Sequence, residues 1–415
     1  MSRNALSGTT LAATAVVLSL GLTACSSGGG GQVGVDAKQT LTVWAMGEEG
    51  KRVADIAKKF NEKYPDITVK VTPIGWDVAH QKLVSAAAAD QLPDMAQLGS
   101  TWMGEFIDLG VLEPVDTKAF KADDFFPAAW KGSEKDGEVY GVPWYVDTRV
   151  LYYRTDLAKQ AGVTKAPKTW ADQLALAEAF KKLGTTKWAF SQPAGGQGSW
   201  QNWAPYLFSA GGTVLDKDGK PALDSPEAVT AFTEYAKYFD KGLSKNTPAA
   251  PGYDVIKDFG AGSVPMFASG PWMVQNIADQ APQIAGKWAT VPLPAGKQPA
   301  SIIGGADLVT FASSEHKAAA QEFTKFLTSP TTQADWYKMA KSLPANKKAW
   351  DEPTLKSADV DVFKTALNSA GEIPPLAQWE QVAQEIDITL EKLAKGGDPA
   401  ALAKELQKKT EGLVS

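Results

Sequence analysis

The stretch GVPWYVDTRVLYY, residues 141–153, combines strand-forming side chains with charge. Valine and tyrosine are enriched in strands, yet Asp147 and Arg149 lie in the middle of the run, shortly after Trp144. A strand buried on both faces excludes charge, and a solvated strand does not collect four large aromatic side chains. The stretch therefore requires a place in the fold that accepts aromatic and charged residues side by side.

Composition limits the kinds of partner. The chain has 415 residues, of which 44% are hydrophobic and 21% charged, so it is long enough for two or more lobes with cores. The net charge is −5 and no basic cluster occurs, so no nucleic-acid partner is expected. The 14 tryptophans are a surplus that favours a flat apolar ligand or a partner surface in addition to core positions.

The beginning of the chain has the pattern of an exported protein. Residues 1–24 predict a signal peptide, with Arg3 before a short apolar run that serine, glycine and threonine interrupt. The sequence LTAC is similar to the bacterial lipobox, in which the cysteine, here Cys25, becomes the lipidated N-terminus. The alternative is a plain secretory signal with an incidental cysteine. Residues 25–38 predict a flexible Gly/Ser tether.

Strand and helix patterns alternate along the rest of the chain. Residues 41–44 predict a buried strand, 48–50 a turn, 51–64 an amphipathic helix, 67–72 a strand and 78–89 a second helix. This alternation indicates an α/β fold. Further elements are predicted at the helices 169–183, 226–241, 314–327 and 376–395 and at the strands 264–268, 288–291 and 308–312.

Six motifs together carry a resemblance to a known family. They are LTVWAMGEEGKRVADIAKKFNEKYPDITVKV (41–71), LPDMAQLGSTWMGEFIDLGVLEPVD (92–116), YGVPWYVDTRVLYYRTDL (140–157), GSVPMFASGPWMVQNI (262–277), SIIGGADLVTFASSEHKAAAQEFTKFLTS (301–329) and EIPPLAQWEQV (372–382). In this order, behind a lipobox, they resemble the extracellular solute-binding proteins of sugar ABC importers, the group that includes maltose-binding protein. The resemblance covers essentially all of residues 39–415.

The resemblance implies a two-lobed α/β fold of the periplasmic-binding-protein type II class, with three crossings between the lobes. The crossings would lie near 146–150, 303–307 and 342–345. One lobe would contain residues 39–146 and 305–342, and the other 150–302 and 345–415. A solute in the cleft would favour the closed form, which a membrane permease would recognise. The stretch 141–153 would then form the floor of the cleft, with Asp147 and Arg149 facing the gap.

The expected ligand follows from the chemistry of the candidate side chains. A sugar has an apolar C–H face and a rim of hydroxyls, so a sugar site combines aromatic platforms with planar polar groups. The family positions are occupied by Trp272, Trp379, Trp200 and Trp203 as platforms, by Glu48, Asp147, Arg149 and Asp307 as polar partners, by the loop Ser100, Thr101 and Trp102, and by Gly305, which allows close backbone approach.

Each candidate also has a structural interpretation. Trp272 could hold a turn, Trp379 could belong to the apolar face of the last long helix, and one of Trp200 and Trp203 is expected to pack inward. Glu48 could be an acid at a helix N-terminus. Asp147 and Arg149 could form a hinge ion pair instead of a ligand clamp. Near residues 100–102 the sequence departs from maltose-binding protein, so sugar selectivity does not transfer.

The expected function is capture of a mono- or oligosaccharide outside the cell by a monomeric, lipid-anchored protein that delivers it to an ABC importer. No cofactor, metal or catalytic residue is expected. His80 and His316, the only histidines, are interpreted as surface residues in helical stretches. The alternatives are a binding protein for a non-sugar solute, an adhesion or sensor lipoprotein, and a glycosidase with Asp147 and Asp307 as its carboxylates. No hydrolase motif supports the last.

Overall fold

Strands and helices alternate along residues 33–250, 253–371 and 373–414, which a computed structural model describes, with the side chains of residues 48, 128, 358 and 359 excepted. The strands are β1 Gln39–Met46, β2 Ile67–Ile74, β3 Met95–Gly99, β4 Glu134–Lys135, β5 Glu138–Val139, β6 Val142–Asp147, β7 Val150–Arg154, β8 Met266–Ser269, β9 Trp288–Pro292, β10 Ser301–Ile302, β11 Gly304–Thr310, β12 Leu343–Pro344 and β13 Ala370–Gly371.

The helices of the same residues connect and cover these strands. They are α1 Gly47–Lys63, α2 Trp76–Ala88, α3 Met103–Asp108, α4 Pro127–Lys131, α5 Thr155–Gln160, α6 Trp170–Lys182, α7 Trp200–Ala210, α8 Pro226–Asp240, α9 Val255–Ala261, α10 Trp272–Gln280, α11 Lys317–Thr328, α12 Pro330–Ala340, α13 Ala358–Asn368, α14 Trp379–Ala394 and α15 Pro399–Glu411. The mixed α/β class predicted from the sequence is confirmed.

The larger, first sheet has six strands in the order β12-β6-β11-β3-β1-β2. β1 is parallel to β2 and β3, and β11 runs antiparallel to both β3 and β6. The carboxyl ends of β1, β3 and β6, at Met46, Gly99 and Asp147, therefore lie at one edge, together with the start of β11 at Gly304. We call this edge of the first sheet the carboxyl edge.

Helices bury both faces of the first sheet. α1, α11 and α12 pack on one face, where Phe60 and Phe323 meet at 5.0 Å between ring centroids. α2 and α3 pack on the other face through Leu83 and Phe106. These apolar side chains repeat at helical spacing, and burying them is the main favourable contribution to folding.

The second sheet is antiparallel, with the order β8-β7-β9. The chain enters it directly from β6, through Thr148 and Arg149 alone. β7 begins at Val150, which pairs with Ser269 and Pro292, the last residues of β8 and β9. The stretch 141–153 thus leaves one sheet and enters the other, close to the crossing predicted near 146–150. A further layer of α7, α8, α14 and α15 shares one apolar core beside this sheet.

Two other segments lie at the junction of the sheets. β10, which pairs with β13, continues into β11 through Ile303 alone. After β12 the short 3₁₀ helices Lys347–Asp351 and Pro353–Leu355 still pack against α12, whereas the next helix, α13, packs on β9. The lobe boundaries and the third crossing at 342–345 stay predictions.

The predicted elements agree with the structure within a few residues, with one exception. Residues 48–50, expected to form a turn, lie in the first turn of α1, because Gly47, at φ +61°, leads β1 straight into the helix. Thr169, the predicted start of a helix, is the N-cap residue of α6. Its hydroxyl accepts from Asp172 N while the Asp172 carboxylate accepts from Thr169 N, a capping box.

The two histidines differ from the expectation of exposed helical residues. His80 is half-buried, with Nε2 2.6 Å from Glu105 Oε2. His316 is the N-cap residue of α11, and its Nδ1 lies 2.9 Å from Asp94 Oδ1. The Asp94 carboxylate also accepts hydrogen bonds from Thr42 N at 2.7 Å and from Ser314. Asp94 therefore ties β1 to the segment before α11.

We expect Asp307→Asn to remove a pH dependence of stability. Asp307 is 3% exposed, Ser133 Oγ donates to its Oδ1 at 2.8 Å, and burial raises its pKa to about 7. The unfolded chain loses this proton near pH 4, so the folded state binds it more strongly between about pH 4 and 7. The stabilisation is complete below pH 4, falls by about 1.4 kcal/mol per pH unit within the window, and is lost above pH 7.

Urea unfolding of the wild type and Asp307→Asn between pH 4 and 8 measures this effect. From pH 4 to pH 7 the free energy of unfolding of the variant should rise relative to that of the wild type. Above pH 7 the difference between the two should stay constant. Asp123→Asn, at an exposed position, reports the effect of removing one surface carboxylate. Parallel pH profiles of the free energy of unfolding for the wild type and Asp307→Asn would contradict the raised pKa of the buried Asp307.

Candidate functional site

The carboxyl edge of the first sheet meets the second sheet, which makes this junction the candidate site. Open α/β sheets bind ligands outside the carboxyl ends of their strands. Here β6 reaches this edge at Asp147 and continues after two residues into β7, whose start lies beside the ends of β8 and β9. Side chains from both sheets can therefore act on one ligand.

Ser301 holds the connection between the sheets. Its Oγ accepts from Arg149 N at 3.0 Å and from Thr148 Oγ1 at 2.9 Å, and it donates to Arg149 O at 2.8 Å. All three residues are buried. Because Ser301 opens β10, this one hydroxyl joins the β6–β7 connection to the segment that leads back into β11.

Arg149 is the centre of a charged cluster at the junction. Its Nη1 donates to Asp147 Oδ1 at 3.1 Å and its Nη2 donates to Gln201 Oε1. The guanidinium carbon lies 5.0 Å from the ring centroid of Trp272, which is within cation–π range. The side chain of Arg149 is 8% exposed and that of Asp147 is 18% exposed. In this conformation Asp147 and Arg149 therefore pair with each other, while Asp147 keeps access to solvent.

Glycines shape the space around this cluster. The half-buried Trp272 ring folds back over Gly270, where a Cβ would overlap it. A Cβ at Gly304 would lie 2.7 Å from Asp147 Oδ1. Gly305 has φ +141°, and a Cβ there would overlap Tyr145 O. The Gly-Gly pair thus lets β11 approach the end of β6.

A second group of candidates follows β3. Ser100–Trp102 forms a 3₁₀ turn at the carboxyl edge. Thr101 Oγ1 donates to Glu380 Oε1 at 3.2 Å, so the turn contacts α14 from the layer beside the second sheet. Trp102 packs edge-on against Trp76 and His80, with both ring centroids at 5.3 Å.

The ionisable groups of this second group affect one another. Burial raises the pKa of Glu380, and the neighbouring His80, Thr101 and Trp102 oppose that rise. The hydrogen bond to Glu105 raises the pKa of His80, with a smaller effect from Glu380. α3 and the chain before α14 are also close, since a Cβ at Gly104 would lie 2.9 Å from the backbone of Leu376. The two sheets' helical layers therefore touch here.

The structure brings part of the predicted site together. Asp147, Arg149 and Trp272 form one cluster with Gly305, and Ser100, Thr101 and Trp102 line the same edge. The backbone of Glu48 lies in the first turn of α1 at this edge, but its side chain is outside the described residues. Cys25 is also outside them.

Three predicted tryptophans lie in the core instead. Trp203 is 0% and Trp379 1% exposed, and Trp200 packs edge-on against Trp379 at 4.9 Å. Trp203 stacks on Phe232 at 4.5 Å. These placements match the packing roles considered for Trp379 and for one of the α7 pair. Asp307 is likewise buried against Ser133. Ligand contact by these four residues stays a prediction.

Several residues of the junction had no distinct signal in the sequence. Gln201 and Glu380 are each adjacent in sequence to a predicted tryptophan, so a search of the motif neighbours could have found them. Ser301 is one of many serines. Ser342, next to β12, donates to Glu49 Oε1 at 2.7 Å and ties α1 to the far side of the first sheet.

Two features are absent from the described part of the chain. There, no group of three or more His, Cys, Asp or Glu side chains is arranged to hold a metal ion. None of the helices in those segments has both the length and the apolar character needed to cross a membrane.

The chain is similar to a known protein family and to several solved structures. Residues 45–334 match the family of bacterial extracellular solute-binding proteins. The diacetylchitobiose binding protein DasA of Streptomyces coelicolor is 26% identical over 91% of each chain. The sugar-binding protein MalE of Xanthomonas citri is 32% identical, with a TM-score of 0.80 over 91% of this chain and 97% of that one. Maltose-bound MalE3 of T. maritima is 27% identical, with a TM-score of 0.82 over 90% and 99%.

These solved structures have the two-lobed architecture that the sequence predicted, and the matched relatives are binding proteins. The family match covers well over half of the chain and includes the β6–β7 connection. The chain therefore belongs to the bacterial extracellular solute-binding protein family.

Proposed function

We propose that the protein captures a mono- or oligosaccharide at the junction of the two sheets, outside the cell, and delivers it to an ABC importer. The observation that carries this proposal is the cluster of Asp147, Arg149 and Trp272, in which an aromatic ring lies beside a paired acid and base. The relatives support it, since their names refer to diacetylchitobiose, to maltose and to sugar binding.

The cluster suits a neutral sugar for two physical reasons. A half-buried Trp272 ring can stack on the C–H face of a pyranose. Arg149 engages Asp147 through Oδ1, which leaves Oδ2 of the partly exposed carboxylate to accept from a sugar hydroxyl. Because the Arg149 charge is already paired, the cluster attracts an anionic ligand less than a free guanidinium would.

The short connections at Thr148–Arg149 and at Ile303 would serve as hinges. Ligand contacts with both sheets' side chains would favour the closed arrangement, because that arrangement alone makes all of them. The lobes are proposed to comprise residues 39–146 plus 305–342 and residues 150–302 plus 345–415. We also propose a lipid anchor at Cys25 and a monomeric state, both from the sequence pattern. The burial of Asp307 against Ser133 argues against the glycosidase alternative.

We expect a sugar to raise the melting temperature of the purified protein. A ligand that binds only the folded state stabilises it by mass action, by about 2.7 kcal/mol at 100 times Kd. Differential scanning fluorimetry over mono-, di- and trisaccharides measures the shift, with amino acids and dipeptides as the comparison set. A shift with a peptide or amino acid and with none of the sugars would contradict the proposed ligand class.

Trp272→Ala should weaken sugar binding with the fold intact. Loss of a large aromatic contact surface removes about 1–3 kcal/mol of binding free energy, or roughly five- to 150-fold in Kd. Trp272→Phe keeps a smaller aromatic platform, so its Kd should lie between those of the wild type and Trp272→Ala. Isothermal titration calorimetry gives Kd, and thermal unfolding shows whether the fold is kept. Unchanged affinity in Trp272→Ala, or its failure to fold while Trp272→Phe folds and binds normally, would assign Trp272 to packing alone.

A pair of variants separates ligand binding from ion pairing at Asp147. Asp147→Asn leaves the buried Arg149 without its carboxylate and should lower the free energy of unfolding by about 1–3 kcal/mol. Adding Arg149→Met removes the unpaired charge and should restore most of the stability. Sugar binding should stay weak in both variants, because both lack the charged carboxylate, which accepts a sugar hydroxyl more strongly than a neutral amide oxygen does. Wild-type affinity in the double variant would show that the pair is structural only.

A further inference from the structure

A small polar recess lies on the second-sheet side of the junction. Its wall comes from α6, α7, the end of β8 and the loop after β9, with Arg149, Gln173, Gln192, Asn202 and Tyr206 as its polar members. The recess holds about 20 Å³ of space that a water molecule can occupy. One water needs roughly 10–15 Å³ measured this way. The recess therefore fits one small oxygen-bearing group and is too small for a sugar ring.

Gln192, which lines this recess, has a buried amide donor. The residue is 4% exposed, and Ser244 fixes its backbone, since Ser244 Oγ accepts from Gln192 N at 3.0 Å and donates to Gln192 O at 3.1 Å. Among the described residues, no acceptor has normal hydrogen-bond geometry with Gln192 Nε2. Burial raises the pKa of the Tyr206 hydroxyl and the Gln192 side chain opposes that rise, although the two groups form no hydrogen bond of regular geometry. A buried donor without an acceptor is unfavourable.

The recess also adjoins the proposed sugar site. Arg149 lines the recess and covers the ring of Trp272, so one guanidinium contacts both. Ala268 lines the recess four residues before Trp272. Asn202, in the wall, is half-buried and follows Gln201, which binds Arg149. A substituent on a ring at Trp272 can thus reach the recess past the Arg149 side chain.

We propose that the recess receives one exocyclic hydroxyl-bearing group of the bound sugar, such as the hydroxymethyl group of a hexopyranose. Gln192 Nε2 donates to the hydroxyl oxygen, and the wall residues Phe190, Leu293 and Pro205 contact its methylene. The inference rests on sugar binding as proposed above. It adds that the site selects sugars that carry this group over sugars that lack it. When a sugar without the group is bound, one water molecule fills the recess instead.

Calorimetric titration of the folded protein with matched sugars tests the recess. The pairs are D-glucose with D-xylose, D-galactose with L-arabinose, and cellobiose with xylobiose, each differing in hydroxymethyl groups. For the pair that binds, we expect the member with the hydroxymethyl group to bind about tenfold more tightly or better. Gln192→Leu should bring that ratio close to one by weakening this member alone. Tyr206→Phe should reduce the ratio in part.

A control variant and three outcomes make the test decisive. Gln160→Leu, at the exposed end of α5, should keep the wild-type ratio. Equal affinities within each pair in the wild type, or an equal loss of affinity for both members in Gln192→Leu, would contradict the proposed role of the recess. The proposed function would be unaffected by either result. No binding of any sugar would overturn the proposed function and the recess with it. If Gln192→Leu does not fold, an unchanged ratio in Tyr206→Phe overturns the recess.

Discussion

The hydroxyl of Ser301 is the interaction on which the junction of the two sheets depends. Thr148 and Arg149 alone separate β6 from β7, and both are buried, so their polar backbone groups need partners inside the protein. Ser301 Oγ accepts two hydrogen bonds and donates one, which is the full capacity of a hydroxyl. Because Ser301 belongs to the segment that returns to the first sheet, it fixes two connections at once.

Fixing the backbone of Arg149 also fixes where its charge lies. A buried guanidinium is unfavourable unless its donors are paired. Asp147 is two residues earlier on the same extended segment and supplies the carboxylate, while Gln201 on α7 supplies a neutral acceptor. The remaining face of the guanidinium covers Trp272. The charge of Arg149, which is unusual in a hydrophobic run, thus positions the ring of Trp272 at the edge of the first sheet.

The sequence predicted the strands and helices well because their apolar spacing is local information. The helix predicted at 169–183 and the strand predicted at 67–72 are each encoded within a single segment, and the structure confirms both. The roles of the tryptophans depend on distant partners instead. Trp203 stacks on Phe232 of α8 and Trp200 contacts Trp379 of α14, so their burial follows from how three helices pack. No spacing within the α7 motif carries that information, and the same holds for Gln192, whose neighbours in the wall of the recess come partly from α6 and α7.

Asp147 and Asp307 occupy comparable positions in the sequence motifs but lie in different environments in the structure. In the β6–β11 register Gly304 pairs with Asp147, whereas Asp307 pairs with Pro143, toward the start of β6. Three residues along a strand amount to about 10 Å, which carries Asp307 away from the carboxyl edge and into the core. The register also shifts between Ala306 and Asp307, where Gly305 has already bent the strand close to Tyr145. A bulge of this kind redirects the next side chain, and Asp307 accordingly meets Ser133. The two acids therefore acquire different chemistry: Asp147 is paired and partly exposed, and Asp307 is buried with a pKa raised to about 7.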